Sequence, residues 1–454
     1  MKNTFILLVI AAFAISSCKK DDGPSTQPVR FSATFSVDGS LGVEVPLEGT
    51  ELTLTNKTNG QKHQTKANAE GVAVFESITP GTYDMAASLT ISAEDYTELS
   101  GVITEEDVHL NANESGLLLL EDKSLDATLM ASGRVGDFVF KQVYYAGSNG
   151  ATGASFRDAF VEIYNNSNTV LYADSLYFSQ VTGNGGNDDA GKEFFLANGQ
   201  YDWSKSLGMN AAGDPNKDYV YAKSIFMIPS DGTGKRYPVQ PGESIIIAAT
   251  ALNHSKPYQN ANGDKPIEIK NPELTVDLSA ADFEVYLFPY LRSINPSEKP
   301  FGSDLSMPAT DVDVIFSIGQ NDLIMDARGR EAYIIFKVDK SQKVKQWPKY
   351  PYSDIRELSE NTNTYPQIPV EYVIDAVQTQ HPLVGSRVPV RVPVTLDAGA
   401  TFVTGGQYSS QSLVRKTKKK VGNRRILQDT NNSTNDFGVL QKADPSKGES
   451  SFID

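Results

Sequence analysis

The chain has 454 residues, of which 39% are hydrophobic, which is enough for packed cores and excludes global disorder. Its net charge of −15 disfavours nucleic acid as a partner, because phosphate binding needs a basic face. A single Cys and four His exclude a disulfide scaffold, a zinc-finger array and an iron–sulfur protein.

The length predicts about two to four domains. Tyr and Phe are plentiful, at 20 and 21 residues, beside 35 Gly and 23 Pro. Aromatic residues favour strands, and Gly and Pro favour turns. We therefore expect β-rich domains.

The first 17 residues predict a signal peptide. Lys2 begins a short basic region, and residues 5–14 form an almost unbroken apolar run. This run is too short to span a bilayer, which needs about 20 apolar residues, but it fits the hydrophobic region of a signal peptide. We therefore expect an exported protein.

The apolar run ends at Ile15-Ser16-Ser17-Cys18. Small residues before a lone Cys resemble the lipobox of bacterial lipoproteins, in which the Cys becomes the lipidated first residue of the mature chain. The alternative is a free buried thiol, a common state of single cysteines. Because each buried CH₂ of an acyl chain adds about 0.8 kcal/mol of membrane affinity, lipidation of Cys18 predicts a protein anchored to a membrane.

Two basic and two acidic residues follow directly, Lys19, Lys20, Asp21 and Asp22. A Lys with paired acids after the lipidated Cys resembles the export signal of Bacteroidota surface lipoproteins. The alternative is the start of a solvated linker. The resemblance implies a location in the outer leaflet of the outer membrane, exposed at the cell surface. Residues 18–28 would then be a lipidated tether, flexible from residue 23.

Residues 29–120 are predicted to form a small β-sandwich. Segments 30–37 and 51–56 alternate polar and apolar residues, as half-buried strands do, and Asn59-Gly60 marks a tight hairpin turn. A further signature follows, made by Gly71, Phe75, Pro80-Gly81 and Tyr83.

This signature resembles prealbumin-like modules such as the carboxypeptidase regulatory domain and surface-protein B-type repeats. In those families a Gly opens a strand, a Phe points into the core, and a Pro-Gly turn precedes a strand that begins with Tyr. The resemblance implies a spacer or stalk and no activity.

A second β-rich domain is predicted over residues 132–440. Strand-like segments occur at 137–147, 156–167 and 174–178, and another follows the turn Pro241-Gly242 at 243–248. Later segments at 283–288, 313–318 and 332–337 are also strand-like, and 370–377 fits either a strand or a short helix. Residues 441–454 are assigned to a C-terminal tail.

The order of these segments resembles a lamin-tail-type immunoglobulin-like sandwich. Residues 160–165, Leu176 and 241–248 match that family's core in order, residues 183–231 form an insertion, and 412–416 with 427–437 resemble its closing segment. The expected fold class is all-β: a small prealbumin-like β-sandwich followed by a large, heavily inserted immunoglobulin-like (lamin-tail-like) β-sandwich. The whole chain resembles a family of uncharacterised Bacteroidota lipoproteins, which implies no established activity.

The sequence contains no recognisable catalytic motif. The four His lack metal-ligand spacing, lipidation of the single Cys removes the thiol nucleophile, and no Gly-x-Ser-x-Gly elbow occurs. His254 is more simply a packed turn residue than a base or a metal ligand. Paired carboxylates of a hydrolase depend on the fold and stay open. We predict that the protein is not an enzyme.

One segment is a candidate calcium loop. Residues 184–191 read Asn-Gly-Gly-Asn-Asp-Asp-Ala-Gly and offer the oxygen ligands that Ca²⁺ prefers, without the spacing of an EF-hand. The alternative is a solvated turn. Apart from this calcium candidate, no cofactor and no metal site are predicted.

Two further features are candidates for binding. The basic run 415–425 would contact acidic lipid headgroups or lipopolysaccharide phosphates, or else form a solvated hairpin tip. Aromatic side chains in Pro-rich loops would stack on sugars or anchor a protein partner, with core packing as the alternative. These aromatic residues are Trp347, Tyr350, Tyr352 and Tyr290.

Three functions compete on these grounds. The first is a non-enzymatic outer-membrane surface lipoprotein that acts as an accessory or binding subunit of a β-barrel complex, such as a TonB-dependent transporter. The second is a glycan-binding surface lipoprotein for nutrient capture. The third is a hydrolase with unrecognised carboxylates. We favour the first, with an outer-membrane β-barrel protein as partner.

Overall fold

The computed structural model of the protein describes residues 27–37, 43–100, 107–131, 138–183, 192–338, 342–422 and 424–454. Strands dominate this part of the chain, and its helices are short. The expected all-β fold class is confirmed, with one seven-stranded sheet before residue 132 and two more after residue 137. The signal peptide, Cys18, the adjacent export signal and the calcium candidate lie outside the described residues.

The N-terminal sheet consists of β1 (Val29–Val37), β2 (Glu51–Asn56), β3 (Lys62–Lys66), β4 (Val72–Ile78), β5 (Gly81–Ile91), β6 (Val108–Leu119) and β7 (Lys123–Ala131), and helix α1 (Ala93–Ser100) follows β5. The strand order is β3-β2-β5-β6-β7-β1-β4, and β1 runs parallel to β7. Because side chains alternate along a strand, every second one enters a common apolar core. Its members include Phe31, Leu54, Leu110 and Leu129.

The N-terminal signature occupies the positions that the sequence predicts. Gly71 has a φ of +73°, and a Cβ there would lie 2.8 Å from a side-chain carbon of Leu47, so a larger residue would be strained. Phe75 is buried in the core of the N-terminal sheet. Tyr83 is fully buried, and its hydroxyl donates to the carbonyl oxygen of Thr79 at 2.7 Å.

The large region contains two seven-stranded sheets. The first consists of β8 (Phe138–Tyr144), β9 (Phe160–Asn165), β14 (Ser244–Ala248), β17 (Phe283–Glu284), β18 (Thr310–Asp311), β24 (Ser412–Arg415) and β27 (Phe437–Leu440). The second consists of β11 (Tyr177–Val181), β12 (Tyr219–Met227), β19 (Asp313–Ser317), β20 (Ala332–Phe336), β21 (Lys349–Tyr350), β22 (Tyr365–Pro369) and β23 (Val373–Gln378).

Three two-stranded ribbons and two short helices complete this region. The ribbons pair β10 (Leu171–Tyr172) with β13 (Pro238–Val239), β15 (Tyr258–Gln259) with β16 (Pro266–Ile267), and β25 (Thr417–Val421) with β26 (Arg424–Leu427). The helices are α2 (Phe288–Ile294) and α3 (Ser433–Asp436). The third ribbon is the hairpin predicted in the basic run.

The two large sheets pack face to face across one apolar core. Phe140 of the first sheet meets Phe178 of the second edge to face, with 6.3 Å between ring centroids. Phe178 also stacks against Phe226 and Tyr333 of its own sheet. These rings, with Val161, Ile247 and Leu413, belong to one buried cluster, so we call this region the large sandwich.

Two local predictions need correction. The segment 283–288 is a strand only over Phe283–Glu284, and the aromatic segment around Tyr290 is not a loop but helix α2. Pro289 lies in the first turn of α2, where its missing N–H is not needed. Segment 370–377 contains both alternatives, a 3₁₀ turn over Val370–Tyr372 and then strand β23.

The segment assigned to a tail, 441–454, packs on the large sandwich. Ala443 and Ser451 are buried, and the ring of Phe452 meets Tyr164 edge to face at 6.0 Å. The ammonium group of Lys141 lies 3.7 Å above the Phe452 ring. The final residues therefore stabilise the large sandwich.

Candidate functional site

Four long loops gather at one end of the large sandwich, and we call this the loop end. They follow β8, β14, β19 and β23 and comprise residues 145–159, 249–282, 318–331 and 379–411. Backbone hydrogen bonds join the first loop to the last: Tyr408 N donates to Ala146 O at 2.7 Å, and Ser410 N donates to Gly147 O at 2.9 Å. The first and last loops therefore form one continuous surface.

Five polar side chains from the first three of these loops form what we call the loop-end cluster. They are Arg157, Asp158, His254, Tyr258 and Asp322, and each has a buried polar atom that makes no hydrogen bond within the described residues. Leaving a buried polar group unpaired destabilises a protein by about 1–3 kcal/mol. Native proteins keep such groups where they bind solvent or a ligand, or where the group has a function.

The two carboxyl groups of the cluster are each held on one side. Tyr144 Oη donates to Asp158 Oδ2 at 3.2 Å, and Ser303 Oγ donates to Asp322 Oδ2 at 2.5 Å. Oδ1 of each carboxyl is the unpaired atom. Burial raises the pKa of both carboxyls to about 7, because the charged form loses its hydration.

His254 is fully buried and fixed in one tautomer. Its Nε2 lies 3.0 Å from Thr250 O, and since a carbonyl oxygen only accepts, Nε2 carries the proton. The pKa of His254 is lowered to about 4, mainly by burial and to a lesser extent by the charge of Arg157. The ring is therefore neutral at pH 7, and its unpaired Nδ1 is an acceptor.

The loop-end cluster is richer in acceptors than in donors. Asp158, Asp322 and His254 each offer an unpaired acceptor atom when deprotonated. Arg157 offers one unpaired N–H, and the unpaired hydroxyl of Tyr258 can donate or accept. Such a set suits donor-rich groups, namely hydroxyls, ammonium groups or water. Within the described ranges, no three His, Cys, Asp or Glu side chains are placed to hold a metal ion.

Tyr350 and Tyr352, two of the predicted contact residues, belong to an aromatic cluster that they form with rings of the insertion. Tyr350 is buried, and its hydroxyl donates to Asn210 Oδ1 at 2.5 Å. Tyr352 stacks on Tyr365 with 4.5 Å between ring centroids. Neighbouring rings therefore cover the faces that a sugar would need.

The other two predicted contact residues lie elsewhere. Trp347 is half-buried and packs beside Phe336, with its ring parallel to that of Tyr372 at 6.1 Å. Tyr290 is on α2, and its hydroxyl accepts a hydrogen bond from Ser317 N at 3.1 Å. The structure therefore brings only Tyr350 and Tyr352 together, and the four residues form no common surface.

The basic run binds acidic groups of its own chain. Lys418 Nζ lies 3.0 Å from Asp107 Oδ2 of the N-terminal region, and Lys420 Nζ lies 3.2 Å from Glu449 Oε1. Arg425 also pairs with Glu449. The hairpin β25–β26 therefore helps to dock the N-terminal sheet on the large sandwich, whereas its predicted contact with lipid phosphates stays a prediction.

Most of the loop-end cluster was not predicted from the sequence. The sequence indicates a packed turn residue at His254. It does not distinguish Arg157, Asp158, Tyr258 and Asp322 as candidate site residues. They belong to three different loops, and nothing in their local sequence distinguishes them from exposed turn residues.

No described helix is long and apolar enough to cross a membrane.

A family comparison matches part of the large sandwich. Residues 240–444 match the family described as "Protein of unknown function (DUF4876)". This similarity confirms the expected resemblance to a family with no established activity. No protein of curated function matches the chain.

Three solved structures are similar to this chain. A DUF4876 family protein from Bacteroides thetaiotaomicron is 26% identical and covers 90% of this chain and 95% of its own, with a TM-score of 0.49. Fervidolysin from Fervidobacterium pennivorans, a keratinolytic enzyme, is 14% identical over 45% of this chain and 25% of its own, with a TM-score of 0.18. A DUF3823 family protein from Bacteroides ovatus is 14% identical over 48% of this chain and 98% of its own, with a TM-score of 0.14.

Proposed function

We propose that this protein is a non-enzymatic lipoprotein of the bacterial cell surface that binds a protein partner through the loop end. Lipidation of Cys18 would anchor it in the outer membrane, and the adjacent residues 19–22 would direct it to the outer leaflet. The N-terminal sheet acts as a spacer. The partner is an outer-membrane β-barrel protein such as a TonB-dependent transporter, for which this chain is an accessory subunit.

The observation that carries the proposal is the way the loops are fixed. Asp158, His254 and Asp322 come from three loops and are buried in one cluster, and a fourth loop is joined to the first by backbone hydrogen bonds. Loops held on a rigid β-sandwich commonly carry recognition. A surface that is already ordered loses less conformational entropy on binding, which favours affinity.

Glycan binding is the second candidate, and the packing of the aromatic residues counts against it. Of the four residues expected to stack on sugars, Tyr350 is buried and Tyr352 is stacked on another ring. Trp347 is half-buried and keeps part of its ring exposed. Tyr290 is also half-buried, and its hydroxyl is hydrogen-bonded to Ser317 N. A glycan site would therefore depend on Trp347 or Tyr290.

The test is affinity purification of the tagged, full-length protein from its native membrane in mild detergent, with the co-purifying proteins identified by mass spectrometry. We expect a β-barrel protein of the outer membrane in near-equimolar amount. Recovery of the chain alone, with retention on a polysaccharide column that is lost in Trp347→Ala, would overturn the proposal in favour of glycan binding.

A further inference from the structure

We propose that the partner docks on a defined part of the loop end, formed by Leu383, Val384, Phe402 and Tyr408, which we call the apolar patch. We infer further that the docking segment of the partner carries an apolar side chain beside carboxylates. This inference rests on the proposed function and specifies where the partner binds and by what chemistry.

Two consecutive apolar side chains project from the loop after β23. Leu383 is 67% exposed and Val384 is 72% exposed, the two most exposed large apolar side chains of the described residues. Single exposed apolar residues are ordinary, but adjacent ones on a protein surface mark a contact site. Burying each of them would contribute about 1.5–3 kcal/mol.

The loop that carries these side chains is fixed by its own hydrogen bonds. Leu383 N donates to His381 Nδ1 at 3.0 Å, and Arg387 Nε donates to His381 O at 3.1 Å. A 3₁₀ turn over Val384–Ser386 lies between these contacts. Leu383 and Val384 are therefore held out from the surface by an ordered turn.

A later part of the same loop extends the patch and holds a tyrosine in an unfavourable backbone conformation. Tyr408 has a φ of 58°, a region that non-glycine residues rarely adopt, and Ser410 has a φ of 64°. Each such residue stores about 1–3 kcal/mol of strain, which proteins retain mainly at functional sites. Tyr408 is 36% exposed, so this residue can contact a partner.

Contacts between the two parts of this loop make the patch continuous. A Cβ added at Gly406 would lie 3.9 Å from Pro382 Cγ, and Pro382 directly precedes Leu383. The guanidinium of Arg387 lies 5.4 Å from the centroid of the Phe402 ring. Arg328 Nε, from the loop 318–331, donates to Gln407 Oε1 at 3.4 Å, so a cationic side chain borders each part of the patch.

The charge of the patch identifies the chemistry of the partner. Arg328 and Arg387 flank the apolar side chains. Within the described part of the chain, neither guanidinium forms an ion pair with a carboxylate. The whole chain, in contrast, carries a net charge of −15. A local positive rim on an acidic protein attracts negative groups, and Arg binds carboxylates with two hydrogen bonds. Apolar contacts at the centre and Arg pairs at the rim are the usual arrangement of a binding hot spot.

The experiment places a photo-crosslinking amino acid at position 384 or 408 of the full-length protein in its native membrane. The matched control is position 421, because Val421 is also an exposed β-branched residue, at 52%, but lies on the hairpin β25–β26. We expect adducts with one outer-membrane β-barrel protein from positions 384 and 408 and none from position 421. The crosslinked peptide should contain Asp or Glu beside an apolar residue.

Two substitutions test the chemistry in the same membranes. Leu383→Asp/Val384→Asp should lower recovery of the β-barrel protein about tenfold or more. Arg328→Glu should lower this recovery in low salt, and the reduction should be smaller in high salt. Val421→Asp should leave the recovery unchanged. Near-ultraviolet circular dichroism and thermal unfolding of each purified variant establish that it is folded.

The other occupants of the patch would overturn the inference. An adduct of twice the chain's mass would identify a second copy of this protein, and an adduct with lipid would identify a membrane surface. If the wild-type chain co-purifies with a β-barrel protein but position 384 gives no adduct with it, this docking site is wrong and the proposed function stands. If the chain co-purifies with no partner, the proposed function fails as well.

Discussion

The buried carboxyl of Asp158 should make the large sandwich less stable as the pH rises. Burial raises its pKa in the folded state to about 7, against about 3.9 in an unfolded chain. Between these values the folded state binds more protons than the unfolded state. The stabilising contribution is therefore complete below about pH 4 and is lost as the pH rises through about 7. From pH 5 to pH 8 this group alone should lower the free energy of unfolding by about 2–3 kcal/mol.

Substitution of Asp158 by Asn removes the titration and keeps the size of the side chain. We expect the difference in unfolding free energy between pH 5 and pH 8 to become about 2–3 kcal/mol smaller than in the wild type. Urea unfolding followed by tryptophan fluorescence measures this, since both Trp residues, Trp203 and Trp347, lie in the large sandwich.

The matched control is Asp231→Asn, because Asp231 is exposed in a turn and accepts hydrogen bonds from Thr233. This variant should keep the wild-type difference between pH 5 and pH 8. If Asp158→Asn also keeps it in full, then Asp158 ionises as an exposed carboxyl does, and our description of the loop-end cluster is wrong.

Three further outcomes are expected, two from the structure and one from the sequence. Lys141→Met should destabilise the protein by about 3–5 kcal/mol in urea unfolding. The reason is that Glu162 is fully buried and loses the Lys141 Nζ that lies 2.9 Å from its Oε1. The double variant Lys141→Met/Glu162→Leu should regain most of that loss. Tyr350→Ala should lower the unfolding free energy by about 3–5 kcal/mol, since it removes a buried ring, whereas unchanged stability would mean that this ring is free to bind a ligand. Cys18→Ala should move the protein from the membrane fraction to the soluble fraction, and retention in the membrane would contradict lipidation.

Strands were predictable where their pattern is local. Residues 160–165 and 244–248 are apolar or alternating over their whole length, and each is a buried strand of the first large sheet. The Gly71 signature was equally informative, because a positive φ and a close approach to Leu47 require Gly there. Helix α2 was missed because a Pro in the first turn of a short helix gives the same local pattern as a Pro-rich loop.

The candidate site was not predictable by the same means. Asp158 and Asp322 are ordinary loop residues by sequence. Their raised pKa values arise mainly from burial, which depends on loops far apart in the chain. The partners of the basic run could not be predicted from the local sequence either. It stands out in an acidic chain, yet Lys418 and Lys420 are matched by acidic residues distant in sequence.

The central claim is that the loop end binds a protein partner at the cell surface. The most direct test is to purify the tagged, full-length wild type and Leu383→Asp/Val384→Asp in parallel from native membranes and to measure the molar ratio of an identified outer-membrane β-barrel protein to this chain. We predict a ratio near one for the wild type and a ratio about tenfold lower for the variant. A wild-type chain that purifies alone would contradict the claim.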